Sequence, residues 1–199
     1  MSTGRPNNIV AILLAAGESR RMGRPKPLLA WRGATLIEYQ IAQLREAGAG
    51  DVIAALGHHA EDILPLVTSA GGRAVINENY REGRASSLRT GAAAAESAES
   101  IVVLSVDQPR PAAVIRRLLA EHTSGITVPV HSGRRGHPVV LDGALLPELQ
   151  EVNEASQGLR AVIARHAAEV HEVPFDSADV LLDLNTPEDY ERATARDHP

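Results

Sequence analysis

The chain has 199 residues and no cysteine, which excludes a disulfide framework and thiolate metal ligands. Its formal net charge of −5 at pH 7 argues against a broad surface for nucleic acid or an anionic membrane. Hydrophobic residues make up 44% of the sequence and aromatic residues only 3%, so the core must be aliphatic, as suits an α/β protein.

The length and the polar start of the chain suggest a simple domain organisation. We expect one domain over residues 9–195, preceded by a flexible N-terminus over residues 1–8, because no linker or repeat divides the sequence. Residues 1–8 are polar, unlike a signal peptide, and no apolar run approaches the roughly 18 residues that span a bilayer. These features predict a cytoplasmic protein.

The first predicted element is a buried strand that ends in a basic loop. Residues 9–29 read IVAILLAAGESRRMGRPKPLL, an apolar run that breaks at Gly17 and continues into three arginines and Lys26. Ligands of open α/β sheets bind beyond the carboxyl ends of such strands, so we expect an anion here. Lys26 is the single lysine among 20 basic residues, and a compact ammonium is not interchangeable with a guanidinium.

Neither of the two commonest phosphate loops is present at this turn. A Walker loop needs four residues between its first two glycines, but Gly17 and Gly23 enclose five. The dinucleotide-binding fingerprint lacks its second glycine, because Glu18 and Ser19 follow Gly17. A triphosphate would instead be bound by amides near the glycine turn and by several cations.

Strands alternate with helices in the next part of the chain. Thr35 and Glu38 form a capping box that begins a helix ending at Gly48, and Ser86 or Ser87 is the expected N-cap of a later helix. The other elements predicted here are a strand over residues 51–56, a short helix toward Leu66, a strand over residues 73–76 and a strand over residues 101–105. This alternation predicts a largely parallel sheet with both faces covered.

A carboxylate follows the last of these strands. Asp107 is expected at the same edge of the sheet as the basic loop. Mg²⁺ is usually bound through one or two carboxylates together with substrate phosphates, so a single aspartate suffices as the first protein ligand. The alternative is that Asp107 only caps the turn before a helix over residues 111–122.

The rest of the chain continues the pattern. Thr186 and Pro187 are expected to cap and begin the final helix. The elements predicted before it are strands over residues 125–130 and 136–141 with a basic turn between them, a helix that begins near Gly158, a segment over residues 170–173 before a polar turn and a last element over residues 180–184.

In their order along the chain, these motifs resemble the MobA-like nucleotidyltransferase family. The family signature LAAGxSxRMGxxKxLL is matched by Leu14, Ala15, Ala16, Gly17, Ser19, Arg21, Met22, Gly23, Lys26, Leu28 and Leu29. Later segments of the family are matched by Asn77, Gly83, Ser86, Ser87 and Gly91, by Asp107-Gln108-Pro109, by Gly136-His137-Pro138 and by Asn185-Thr186-Pro187. The resemblance implies a three-layer, Rossmann-like nucleotide-diphospho-sugar transferase fold, with a mostly parallel sheet covered by helices on both faces.

The resemblance also implies roles for the matching residues. Those expected to bind the nucleotide are Leu14, Ala15, Ala16, Gly17, Arg20, Lys26, Asn77, Gly83, Ser86 and Ser87. The expected catalytic residues are Lys26, Arg21 and Asp107. Asp107 and Asn185 are expected to hold Mg²⁺, the one cofactor implied, and His137 and Gln108 are the candidate contacts of the acceptor substrate.

Two positions depart from the family pattern. Val106 stands where relatives usually have a glycine, so the backbone before Asp107 is expected to differ. Ser156 and Gln157 precede Gly158 where relatives commonly have an acidic residue. The second departure puts contacts from that loop in question.

The implied activity is transfer of CMP from CTP to the terminal phosphate of the molybdopterin cofactor, with release of pyrophosphate. Ala16 favours CTP over GTP, because family members that use guanine typically have a glycine there. The alternatives are a guanylyltransferase or another NTP transferase with a different phosphorylated acceptor, and a non-catalytic nucleotide-binding protein that delivers the cofactor. A molybdoenzyme recipient is a further candidate partner, whereas nucleic acid and membranes are not expected.

Overall fold

The computed structural model describes residues 8–155 and 157–196. Residues 1–7 of the predicted flexible N-terminus lie outside the described residues. Asn8, the last residue of that segment, donates a hydrogen bond from Nδ2 to the backbone oxygen of Ser97 at 2.9 Å. Within the described ranges, no helix is both long enough and apolar enough to cross a membrane.

Ten strands and seven α-helices make up the described part of the chain. The strands are β1 (Ile9–Ala15), β2 (Ala30–Trp31), β3 (Ala34–Thr35), β4 (Asp51–Leu56), β5 (Arg73–Ile76), β6 (Ser100–Ser105), β7 (Ile126–His131), β8 (Arg134–Arg135), β9 (Val139–Asp142) and β10 (Val170–Pro174). The helices are α1 (Leu36–Glu46), α2 (Ala60–Ser69), α3 (Arg84–Ala94), α4 (Ala112–Glu121), α5 (Leu146–Gln150), α6 (Leu159–Arg165) and α7 (Pro187–Arg196).

One sheet contains every described strand except β2 and β3, which pair with each other. Its order is β10-β7-β9-β6-β1-β4-β5, with β8 paired to β7. β1 is parallel to β4 and β6, whereas β9 is antiparallel to β6 and β7. The chain runs from β1 to β4 and β5 on one side and returns to β6 on the other. A topological switch point therefore lies between β1 and β6, where ligands of such sheets bind.

β1 lies between two aliphatic cores. Ala11 and Leu13 belong to the core on one face of the sheet, and Val10 and Ile12 to the core on the other, because side chains alternate along a strand. Residues of α1, α2, α4 and α7 pack into the first core, and residues of α3, α5 and α6 into the second. The predicted three-layer α/β architecture with a mostly parallel, covered sheet is confirmed.

The predicted capping box of α1 is confirmed. The backbone N–H of Thr35 donates to Glu38 Oε2 at 2.9 Å, and the backbone N–H of Glu38 donates to Thr35 Oγ1 at 3.4 Å. α1 ends at Glu46, two residues before the predicted stop. Local sequence signals were sufficient here because both halves of the cap lie within four residues.

The predicted N-cap of α3 was wrong. The helix begins at Arg84, so Ser86 and Ser87 lie inside its first turn and are buried. The cap is supplied by a distant residue, since the backbone N–H of Ala85 donates to Glu154 Oε1 at 2.6 Å. Gly83 precedes the helix with φ of +117°, and a Cβ there would collide with the Glu154 carboxylate. Spacing along the chain does not reveal a cap that arrives from 69 residues away.

The strand predicted over residues 136–141 begins only at Val139. The preceding residues bond elsewhere: the N–H of Gly136 donates to Pro129 O at 2.8 Å, and that of His137 to Val180 O at 3.0 Å. The basic turn also differs from expectation, because Arg134–Arg135 forms the short strand β8 against β7.

Arg110, in the segment between β6 and α4, is completely buried. Its guanidinium donates hydrogen bonds to four backbone carbonyl oxygens, those of His137 at 2.8 Å, Pro109 at 2.9 Å, Leu182 at 3.0 Å and Val180 at 2.7 Å. Desolvation lowers the pKa of Arg110 to about 10, which leaves it charged at neutral pH. One side chain thus joins three loops that surround the carboxyl end of β6.

We expect Arg110→Met to lower the free energy of unfolding by about 3 kcal/mol or more, because several buried carbonyls lose their donor. Arg110→Lys should give an intermediate loss, since an ammonium has three donors and no planar fork. The measurement is urea denaturation at pH 7.5.

The control is Arg116→Met on α4, which removes a half-exposed arginine paired with Glu46 and should change stability by less than about 1 kcal/mol. Equal losses in Arg110→Met and Arg116→Met would contradict the assigned role of Arg110.

Candidate active site

A cleft of about 330 Å³ lies at the carboxyl ends of β1 and β6, at the switch point of the sheet. Most of the residues predicted to form a site line this one cleft. They are Leu14, Ala15, Ala16, Gly17, Arg21, Lys26, Gly83, Ser87, Asp107 and Asn185. The structure therefore brings together segments that are far apart along the chain.

Lys26 lies at the polar end of the cleft. Its ammonium Nζ is 2.7 Å from Asp107 Oδ2 and 3.2 Å from Asn185 Oδ1. The Lys26 and Asp107 side chains are only 13% and 19% exposed, so this ion pair is largely screened from water. Arg21 is at the same place, with Nη2 3.5 Å from Asn185 Oδ1. Two cations and two oxygen-bearing side chains thus converge on one point.

Backbone contacts hold the two oxygen donors in position. The N–H of Leu184 donates to Asp107 O at 2.8 Å, which ties the two loops directly. The N–H groups of Asn185 and Thr186 both donate to Asp189 Oδ2, at 3.2 and 3.0 Å, within the cap of α7. The predicted capping role of Thr186 is confirmed by its Oγ1, which accepts from the N–H of Asp189 at 3.2 Å. Capping the last helix therefore also positions Asn185.

The donor set at Lys26 fits a divalent cation such as Mg²⁺. Asp107 and Asn185 both offer oxygen, the ligand that Mg²⁺ prefers, and the Lys26 ammonium already lies between them as a stand-in cation. The described residues contain no group of three or more His, Cys, Asp or Glu side chains that could hold a metal. An ion here would therefore need further oxygens, such as those of phosphates or water.

Asn77 and Ser86 do not line the cleft. Both are buried behind it, and Asn77 Nδ2 donates to Ser86 Oγ at 2.9 Å and to Ser87 Oγ at 3.0 Å. Ser87 is the one of the three that faces the cleft. Asn77 thus orients Ser87, and a direct contact of Asn77 or Ser86 with nucleotide stays a prediction that this geometry does not favour.

Arg20 lies outside the cleft and its side chain is 83% exposed. It pairs with Glu18, which also accepts a hydrogen bond from Arg81 Nε at 3.3 Å. The hydrogen bond from Arg20 is the largest cause of the lowered pKa of Glu18. Part of the positive charge of the loop is therefore neutralised within the loop, and Arg20 is placed at its solvent-facing side.

Tyr80 also lines the cleft, and sequence reasoning missed it. It lies close to Ala16 because Gly57 has no side chain: a Cβ on Gly57 would be 2.6 Å from Tyr80 Cβ and 2.9 Å from Ala16 Cβ. The available signal was an aromatic residue, rare in this sequence, just before Gly83.

A second cavity of about 520 Å³ adjoins the first. Gln108 and His137, the predicted acceptor contacts, line it together with Asp183 and Glu154. Its apolar lining includes Leu88, Val103, Val139, Leu159 and Ile163. The cavity therefore combines an aliphatic surface with several polar and charged groups, among them Arg84 and Arg160.

The hydrogen bonds of Gln108 determine the protonation of His137. Gln108 Nε2 donates to Asp183 Oδ1 at 2.8 Å and lies 3.0 Å from His137 Nδ1, while its Oε1 accepts from the N–H of Ser105 at 3.2 Å. With an amide donor opposite it, Nδ1 must accept, so the proton of the neutral ring lies on Nε2. Burial lowers the pKa of His137 to about 4, which keeps the ring uncharged at neutral pH.

The two departures from the family pattern have different consequences. Val106 does not have a positive φ, and its N–H donates to Leu14 O at 3.0 Å. Valine therefore causes no backbone strain there. Ser156 lies outside the described residues. Gln157 lines the second cavity, and the carboxylate in this loop is that of Glu154.

Known proteins are similar to this chain over most of its length. The model of the MobA-like NTP transferase domain matches residues 11–170. The nicotine blue oxidoreductase of Paenarthrobacter nicotinovorans is 34% identical over 165 residues, which cover 78% of this chain and 81% of that protein.

Two further relatives carry names from molybdenum cofactor metabolism. The molybdenum cofactor cytidylyltransferase of Escherichia coli is 24% identical, over 94% of this chain and 96% of its own. The molybdenum cofactor guanylyltransferase of Xanthomonas euvesicatoria is 29% identical, over 91% and 92%.

Among solved structures, Rv0371c of Mycobacterium tuberculosis in complex with manganese is similar. It superimposes with a TM-score of 0.76 at 28% identity and covers 93% of this chain and 97% of its own.

We expect protonation of His137 to destabilise the folded state in acid. Its folded pKa of about 4 lies below the ordinary histidine pKa of 6.5, so the unfolded chain binds a proton that the folded chain does not as the pH falls from 6.5 to 4. Between pH 7.5 and 5 the free energy of unfolding of the wild type should fall by about 2 kcal/mol more than that of His137→Gln. The glutamine keeps an acceptor for Gln108. Parallel pH profiles of unfolding free energy for the two proteins would show that His137 is not the titrating group.

Proposed function

The chain belongs to the MobA-like NTP transferase family, and we propose that it transfers CMP from CTP to the terminal phosphate of a molybdopterin-type cofactor, releasing pyrophosphate. The observation that carries the proposal is the pair of adjoining cavities. One holds Lys26, Arg21, Asp107 and Asn185, which suit a triphosphate and its metal, and the other suits a larger, partly apolar acceptor.

Ala16 supports CTP as the donor nucleotide. Ala16 lines the first cavity, and its methyl group lies beside Gly57 and Tyr80. A methyl group in place of hydrogen narrows a base site, which favours a pyrimidine over a purine. The cytidylyltransferase of Escherichia coli, similar over nearly the whole chain, supports the same choice. The similar guanylyltransferase makes GTP the alternative to be tested.

The second cavity supports a flat, nitrogen-rich acceptor. Its aliphatic surface can cover one face of a fused ring, and the Asp183 carboxylate can accept from the amino and ring N–H groups of an aminopyrimidinone edge. The neutral His137 ring adds a donor at Nε2. A pterin carries both features, and its phosphate arm can extend toward the first cavity.

The chemistry needs no general base from the protein. The second pKa of a phosphate monoester is near 6, so the acceptor phosphate is largely ionised at neutral pH. One of its oxygens attacks the α-phosphorus of CTP, the bond from that phosphorus to the bridging oxygen breaks, and pyrophosphate leaves with the electron pair. The task of the protein is to position two anions and to offset their charge.

Lys26 and Arg21 supply that charge on the nucleotide side. We propose that their cations pair with the phosphates of CTP, which requires the Lys26 ammonium to exchange Asp107 for phosphate oxygens. Asp107 and Asn185 would then hold Mg²⁺, which supplies further positive charge at the phosphates. The manganese complex of Rv0371c supports a divalent ion in a similar chain.

Two other activities remain to be separated from this one. The relative named nicotine blue oxidoreductase favours a redox reaction as the second candidate. A delivery protein that binds nucleotide without turnover is the third. Pyrophosphate release distinguishes the transferase from both.

The decisive test is calorimetric titration with CTP, GTP, ATP and UTP in the presence of Mg²⁺, followed by a pyrophosphate-release assay with molybdopterin. We expect CTP to bind at least about tenfold more tightly than GTP, a difference of about 1.4 kcal/mol. Pyrophosphate should appear only when CTP, Mg²⁺ and acceptor are all present. Preference for GTP would indicate a guanylyltransferase, and binding without pyrophosphate a delivery protein. Oxidation or reduction of a dye without release of pyrophosphate would indicate an oxidoreductase.

We expect Lys26→Met to lower kcat/KM for CTP by about 30- to 1,000-fold, the effect of losing one electrostatic contact worth about 2 to 4 kcal/mol in the transition state. The matched control is Arg24→Met in the same loop, since Arg24 is exposed and lies over the ring of Tyr190 rather than in the cleft. Thermal melting checks that both variants fold. A Lys26→Met enzyme with wild-type turnover would contradict the role proposed for Lys26.

A further inference from the structure

The wall between the two cavities consists of the residues that line both of them, Leu14, Arg84 and Ser105. Leu14 and Ser105 are register partners on β1 and β6, so the wall stands directly at the switch point of the sheet. Arg84 is the first residue of α3, and its Nη2 donates a hydrogen bond to Ser105 Oγ. Of the three residues, only Arg84 carries a charge.

Among the described residues, the guanidinium of Arg84 has no direct partner of opposite charge. In the part of the chain that the structure describes, Arg84 forms no ion pair, and its side-chain hydrogen bond is to a neutral hydroxyl. Lys26, in contrast, is paired with Asp107, and Arg20 and Arg81 are both paired with Glu18. Arg84 therefore presents a full positive charge at the junction of the two cavities.

That charge extends into the second cavity. Burial is the largest cause of the lowered pKa of His137, and the nearby charge of Arg84 contributes to it. Arg160 also lines the second cavity but not the first, whereas Arg84 lines both. On the nucleotide side, Lys26 and Arg21 already provide cations for a triphosphate.

We propose that Arg84 binds the terminal phosphate of the acceptor and makes the enzyme specific for acceptors that end in a phosphate monoester. The proposal rests on the nucleotidyl transfer proposed above. Two phosphate groups repel each other as they meet, and a cation between them offsets that repulsion. A guanidinium has five N–H donors in a rigid fork, so Arg84 can keep its bond to Ser105 and still donate to phosphate oxygens.

This assignment explains why the first residue of α3 is exposed to the cleft in a helix whose next four residues are buried. Glu154 accepts the N–H of Ala85 and so occupies the end of the helix itself. An anion at this place would therefore be bound by the side chain of Arg84, beside Ser105, and not by the end of the helix. Sequence spacing alone gave no role to Arg84.

The first arm of the test is steady-state kinetics of pyrophosphate release. Arg84→Met should raise the KM for molybdopterin by about 10- to 100-fold, as expected for the loss of a charge-assisted hydrogen bond, and change the Kd for CTP by less than about threefold. Arg84→Lys should recover part of the loss. Guanidinium added to Arg84→Ala should restore activity, which it would not do if Arg84 only supported the fold. Arg116→Met, remote from both cavities, is the control.

The second arm does not depend on turnover. The Nε–H signal of Arg84, identified by its loss in Arg84→Met, is followed by ¹⁵N NMR while inorganic phosphate is added with and without CTP. We expect this signal to shift saturably. If phosphate shifts the Arg84 signal but the protein releases no pyrophosphate, the phosphate site at Arg84 is supported and the transfer reaction is rejected.

Two results would overturn the proposal. One is an Arg84 signal that inorganic phosphate does not move. The other is an Arg84→Met enzyme whose KM for molybdopterin is unchanged while CTP binding weakens, because Arg84 would then serve the nucleotide.

Discussion

The site depends on a buried cation that contacts no carboxylate directly within the described part of the chain. The guanidinium of Arg110 is bound by four backbone carbonyls, and the more distant charges of Asp183, Asp179 and Asp107 partly offset its desolvation. Because these carbonyls belong to three loops, Arg110 determines how the loops lie relative to one another. Asp107 precedes it by three residues, and Asn185 follows one of the joined loops.

A second buried polar residue connects the same loops to the core. Gln40, on the otherwise apolar face of α1, donates from Nε2 to Ser105 O at 3.2 Å and to Gln108 O at 2.7 Å, and its Oε1 accepts from the N–H of Arg110 at 3.1 Å. A polar side chain on an apolar helix face is costly unless all its hydrogen bonds are made. Gln40 meets that condition, so α1 also helps to hold the loop that carries Asp107.

The distribution of charge around the switch point suits a reaction between two anions. Lys26 and Arg21 lie on one side of the first cavity and Arg84 lies at its junction with the second. The second cavity keeps its histidine neutral by burial and by an amide donor on Nδ1. Cations are therefore concentrated where phosphates would meet, and the acceptor body would meet aliphatic side chains together with Asp183, Glu154 and Arg160.

Apart from Asn185, which the family resemblance supplied, the sequence by itself determined the three-layer architecture, the cap of α1, the loop after β1 and the meeting of Lys26 with Asp107. Each depends on signals within a few residues, or on the rule that parallel strands place their carboxyl ends at one edge. Only the tertiary structure decided the cap of α3 by Glu154, the burial of Asn77 and Ser86 behind the cleft, and the positions of Tyr80, Arg84 and Arg110. The physical reason is that these roles depend on contacts between segments distant in sequence. Periodicity and spacing describe which local structure a segment adopts, but they do not specify which side chain a neighbouring loop will meet.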